Sequence, residues 1–202
     1  MKKMLLLAVL ALALPTAVFA SSGVDYTNSG GTLSGTNSGL SLSGSVLIAV
    51  NGLNGGGLIT GSNLGSLEFS TGALTSGSLQ MGGTFAAGGT FTITGNGTNG
   101  IPNGTLFTGS FSGPVTWTLI TLSNGTHNYT LSGSLSGWNG SGTATQGVTV
   151  QLTINTGKGF FNGSTNISSG DTNIVVPEPG SLGLLGTGLI GLAGVIRRKL
   201  KG

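Results

Sequence analysis

Apolar residues recur at every second position through much of the chain. Leu40, Leu42, Val46, Ile48 and Val50 do so, with Gly44 on the same face, and Phe91 and Ile93 alternate with Thr90, Thr92 and Thr94. Val115, Trp117 and Leu119 alternate with Thr116 and Thr118, and Tyr129, Leu131 and Leu135 continue the habit. The cleanest run is Val148, Val150, Leu152 and Ile154, opposed by Thr149, Gln151, Thr153 and Asn155. A period of two puts the apolar set on one face of a strand and the polar set on the other. Valine, isoleucine, threonine and the aromatics suit such half-buried strands. Between the two ends of the chain no helical period of useful length occurs. The pattern predicts an all-β fold, an antiparallel sandwich or an incomplete barrel.

The breaks between strands carry turn chemistry. Asn-Gly occurs eight times, at Asn51, Asn54, Asn96, Asn99, Asn103, Asn124, Asn139 and Asn162. This dipeptide supplies the positive φ that tight hairpin turns require, and Asn124-Gly125 predicts a hairpin between the strands of Trp117 and Tyr129. Ser21 to Gly39 shows little periodicity and is expected to be a mobile leader, with the β-rich ectodomain running from 40 to 170. The pattern Ser/Thr-Gly-Ser-apolar recurs at Ser43 to Val46, Ser76 to Leu79, Thr108 to Phe111 and Ser132 to Leu135. Its uneven spacing does not define a solenoid, and glycine inside a strand marks a bend or bulge.

The two ends read as addresses. Lys2 and Lys3, the apolar run Met4 to Leu14, and Val18-Phe19-Ala20 form a secretory signal peptide over residues 1–20, cleaved between Ala20 and Ser21. At the other end, residues 171–180 are expected to be a linker containing Val176, Pro177, Glu178 and Pro179. The two prolines fix φ and oppose helix, so this motif is extended and accessible. Residues 181–196 carry no charge and predict a transmembrane helix about 24 Å long, short against a bilayer core of about 30 Å. Residues 197–202 form a basic cytoplasmic tail, in which Arg197, Arg198, Lys199 and Lys201 act as the stop.

This combination resembles the PEP-CTERM sorting signal of bacterial surface proteins. The residues that carry the resemblance are Val176-Pro177-Glu178-Pro179, the Gly/Leu-rich stretch Leu182 to Gly194, and Arg197-Arg198-Lys199. The resemblance implies recognition by an exosortase, a membrane transpeptidase that cuts near the motif and releases the ectodomain. It covers roughly an eighth of the chain and leaves the rest to be read from its residues. The implied route runs through the export machinery and an inner-membrane intermediate to the cell surface or extracellular matrix.

Charge changes the picture less than its sum suggests. The formal net charge is +3, but six of the seven cations lie in the two address segments. The mature region keeps Lys158 against Asp25, Glu68 and Asp171, a balance of about −2. No basic patch exists to neutralise phosphates, so nucleic acid is excluded as a partner. Cysteine is absent, so an exported fold must be held by packing and strand pairing.

Catalytic chemistry is poorly supplied. Between Tyr26 and Gly157 the ionisable groups of ordinary acid-base range are Glu68 and His127. A carboxylate pair would need Glu68 with Asp25 or Asp171, both expected in mobile end regions. His127 is expected to be solvated beside a turn, and no nucleophile-elbow motif accompanies it. No catalytic residue, metal site or cofactor is therefore assigned.

Aromatics offer binding instead. Trp117 and Tyr129 are expected in the core, whereas Trp138, beside Asn139-Gly140, is the candidate for exposed ligand contact. Threonine ladders at Thr90, Thr92, Thr94, Thr116, Thr118, Thr143 and Thr145 would project from strands and offer a water-ordering, ice-binding alternative. Seven Asn-x-Ser/Thr sequons follow largely from composition. The sequence predicts a non-enzymatic surface or matrix protein contacting exopolysaccharide, with a small carbohydrate-binding module as the rival.

Overall fold

The computed structural model describes residues 23–175. Thirteen strands among the described residues form one antiparallel sheet. They are β1 (Gly23–Ser29), β2 (Thr32–Thr36), β3 (Gly39–Asn51), β4 (Ile59–Ser70), β5 (Leu74–Ser78), β6 (Gly82–Phe85), β7 (Gly88–Asn96), β8 (Asn103–Phe111), β9 (Val115–Thr121), β10 (His127–Asn139), β11 (Ala144–Asn155), β12 (Ser164–Asn166) and β13 (Ser169–Val175). Eight of them close on themselves in the order β1-β3-β4-β7-β8-β10-β11-β13, with β13 returning to β1. Each wall strand therefore lies beside the next wall strand in the chain. The expected all-β antiparallel architecture is present, and its barrel is closed rather than incomplete. Closure pairs every wall edge, removing the exposed donors and acceptors that an open sheet would present.

The other five strands extend the wall. β2 pairs with β3 and β12, while β9, β6 and β5 continue outward from the first half of β10. The turn between β5 and β6 is held by two interior side chains. Trp117 Nε1 donates to the Leu79 carbonyl at 2.9 Å, and the Tyr129 hydroxyl donates to the Gln80 carbonyl at 2.6 Å.

Alternation fills the interior. On β11, Val148, Val150, Leu152 and Ile154 are buried, while Thr149, Gln151 and Asn155 face solvent. Phe69 and Phe91 stack at 5.8 Å, and Phe111 meets both rings edge-on. Trp117 and Tyr129, buried as predicted, stack at 4.8 Å with Phe161 against them. Offset and edge-to-face pairs add to the gain from burial itself. This polarity is opposite to that of membrane barrels, whose apolar residues face lipid. Among the described residues no helix is long and apolar enough to cross a membrane.

Several expectations are corrected. Residues 23–36, expected within a mobile leader, form β1 and β2, with Val24, Tyr26 and Leu33 buried. Residues 171–175, expected as linker, complete β13 between β11 and β1. On β3 the predicted single face does not persist. Register shifts between Leu42 and Ser45, and between Leu47 and Ala49, bury Leu40, Leu42, Ser45, Leu47 and Val50 and leave Val46 and Ile48 half-exposed. Gly44 sits at the first shift with φ +67, a conformation that an extra residue in the strand requires. The buried Ser45 that results accepts a hydrogen bond from Asn28 Nδ2 at 2.7 Å.

The hairpin at Asn124-Gly125 joins β9 to β10 as predicted, through residues 122–126. The Leu122 amide donates to the Thr126 carbonyl, and Gly125, at φ +80, donates its N–H to Leu122. The recurring glycine motif divides into two roles. Gly44 and Gly77 take positive φ beside register shifts, whereas Gly109 lets the β10 backbone approach and Gly133 leaves room for the Phe111 ring.

Candidate functional site

The sorting motif Val176 to Pro179, the basic stop Arg197, Arg198, Lys199 and Lys201, the span 181–196 and the cleavage position Ala20-Ser21 lie outside the described residues. Trp138 is on β10, 56 % exposed, opposite Thr108 of β8 and Ala144 of β11. Its position follows from the turn beyond it, where Asn139 Oδ1 accepts from the amides of Ser141 and Thr143 and ends the strand.

His127 is not solvated. Its ring stacks on Phe160 at 4.2 Å, and its Nδ1 lies 3.3 Å from the Gly159 carbonyl oxygen. The backbone fixes the same loop, with the His127 amide donating to Gly157 at 2.7 Å. This residue begins β10 and lies against the segment after β11, a long-range contact that no local spacing announces. Glu68 is exposed on β4, separated from β10 in the wall by β7 and β8. The two groups are not brought together.

Asp25 and Asp171, expected in mobile ends, instead occupy the paired strands β1 and β13. They line an open groove of about 590 Å³ with Gln151, Asn173, Thr116 and Ser132. Burial, then the neighbouring Asp171 carboxylate, raises the Asp25 pKa above its ordinary 3.8. The folded chain thus holds this proton more tightly than the unfolded chain. Its stabilising contribution is fully present below the ordinary value and is lost as pH rises through the higher folded value. Asp25→Asn should flatten the fall in melting temperature from about pH 4 upward, read from thermal melts at stepped pH. An unchanged slope would assign the dependence to another group. Tyr26 behaves likewise on the alkaline side, since burial pushes its phenol up to about 12 and stability is lost as that value is approached.

Two of the ladder threonines pair with neighbouring hydroxyls, whereas Thr145, expected to project outward, is buried and donates to the Gly137 carbonyl. Ser66 and Thr94 lie 2.7 Å apart and Ser70 and Thr90 3.1 Å apart across β4 and β7. Several sequon amides serve turns: Asn96, Asn124 and Asn139 each accept from an amide two residues on. Among the described residues no cluster of three or more His, Cys, Asp or Glu is poised to hold a metal.

Closed wall, largely apolar interior and hydroxyl-bearing exterior define a β-barrel. Residues 175–199 match the PEP-CTERM protein-sorting motif, beginning at the final residue of β13. The match implies processing by an exosortase and export to the cell surface. Neither a curated protein nor a solved structure matches the chain.

Proposed function

We propose that the chain is a non-enzymatic protein of the cell surface or extracellular matrix that contacts exopolysaccharide through the outside of its barrel. The observation that carries this reading is the division of the wall: side chains fill the interior, and hydroxyl and amide groups cover outward positions such as those of β7 and β11. Such a surface suits many weak, partly water-mediated hydrogen bonds to a hydrated polymer, with retention built from their number. The separation of Glu68 from His127, and the burial of His127 under Phe160, give no support to a paired acid and base at those positions. The export machinery delivers the chain to the inner membrane, where residues 181–196 and the basic stop hold it until the exosortase acts.

Mass spectrometry of the mature protein from its host should find residues 1–20 removed and a new C-terminus near Pro177-Glu178-Pro179. Glu178→Ala should keep the protein in the membrane fraction without altering the barrel's circular dichroism. A surface form still ending at Gly202 would overturn the processing route. Turnover of a glycan or ester by the purified protein, lost in His127→Ala or Asp171→Asn, would overturn the non-enzymatic reading. Thermal hysteresis in the same preparation would replace polysaccharide with ice as the ordered partner.

A further inference from the structure

One row on the outer wall brings unlike groups into line. Glu68 of β4 opposes Thr92 of β7, Thr92 opposes Thr108 of β8, and Thr108 opposes Trp138 of β10. Directly opposed residues of antiparallel strands project from the same face. With strands about 4.8 Å apart, the row crosses three spacings and runs about 14 Å. Glu68, Thr108 and Trp138 are exposed and Thr92 is half-exposed, so all four side chains reach solvent.

The wall beside this row is concave. Two residues along the same strands, the paired hydroxyls of Ser66 and Thr94 line a depression of about 300 Å³ with Asn63, Asn96 and Gly44. Gly65 and Gly95 face each other there, and a Cβ on Gly65 would collide with the Thr94 carbonyl.

We infer that this row is a binding site for an uncharged polysaccharide chain lying across the strands. The Trp138 indole covers the C–H face of one sugar ring, an apolar contact that removes exposed aromatic surface from water. Thr108 and Thr92 exchange hydrogen bonds with ring hydroxyls, and Glu68 accepts from hydroxyls further along the chain. The charge in the row is negative and the ectodomain is negative in sum, so polyuronate or sulfated chains are repelled. The inference rests on the matrix-contact reading and adds the site, the direction of the chain and its charge class.

The test is affinity electrophoresis of the full chain in detergent through gels containing hydroxyethylcellulose, dextran or galactomannan, with alginate as the anionic comparison. The wild type should be retarded by at least one neutral polymer and not by alginate. Trp138→Ala should weaken that binding about tenfold, the scale of a central aromatic contact, while Trp138→Tyr retains most of it. Glu68→Gln and Thr92→Val should each weaken it several-fold, and Ile120→Ala, which alters another exposed apolar residue, should not. Circular dichroism and melting temperature should stay unchanged in all variants. Equal retardation of the wild type and Trp138→Ala, no retardation by any neutral polymer, or preference for alginate would overturn the site. If Trp138→Ala loses binding in the gel but the protein is absent from the host's surface and matrix, the broader reading fails while the site stands. If matrix retention survives Trp138→Ala and wild-type gel binding is nil, the site fails and the broader reading stands.

Discussion

Trp117→Ala should destabilise the barrel by about 3–5 kcal/mol, a large share of the roughly 5–15 kcal/mol available to a domain of this kind. Three losses coincide at this position. The indole is 1 % exposed and stacks on Tyr129, it meets Phe161 edge-on, and its N–H holds the Leu79 carbonyl. Removing it opens a cavity and releases one of the two hydrogen bonds that interior side chains make to the β5–β6 turn, leaving the Tyr129 hydroxyl on Gln80. Urea unfolding followed by circular dichroism should show a lower midpoint with little change in slope. The chain has two tryptophans, so in this variant the exposed Trp138 alone reports fluorescence. A midpoint within experimental scatter of the wild type would show that Trp117 does not anchor the interior.

Leu152→Ala should cost about 2–5 kcal/mol for a different reason. Leu152 opposes Leu131 of β10 on one side and Gly170 of β13 on the other. Its Cδ2 occupies the space that a side chain at Gly170 would fill, so β13 has nothing with which to close the cavity. The damage falls on the seam where the last strand joins the wall. Limited proteolysis should therefore cut first within residues 164–175, before the wall strands β4, β7 and β8 become accessible. Uniform cleavage throughout the barrel would show that the seam has no separate weakness.

The strands with an apolar inner face were legible because alternation is a local signal, as at Val148 to Ile154 and Val115 to Leu119. β1 and β13 were not. Their inner positions include Asn28, Gly170 and Thr172, and a polar or missing side chain erases the period. Inside the wall Asn28 donates its amide N–H to Ser45, and Ser45 faces inward because of a register shift on a third strand. That chain of dependence crosses three elements, so no sequence window contains it. The same holds for His127, whose partners Gly159 and Phe160 lie beyond β11. The exposure of Trp138 was readable from the Asn-Gly turn beside it. Its alignment with Glu68 was not, since it passes through four strands and a register shift between Ile93 and Thr94.

The ring is sealed by its first and last strands, with Gly23 opposite Val175. A chain that crosses a membrane N-terminus first can therefore assemble its middle strands early, yet it cannot complete the circle until Ser169–Val175 has emerged. The sorting motif follows at once, with Pro177 two positions beyond the final rung. On the route proposed above, translocation, ring closure and the signal for release would reach the outer side of the membrane in nearly the same moment. Folding on the far side would then rectify that passage: once the last strand docks, the route back is closed before the proposed tether is cut.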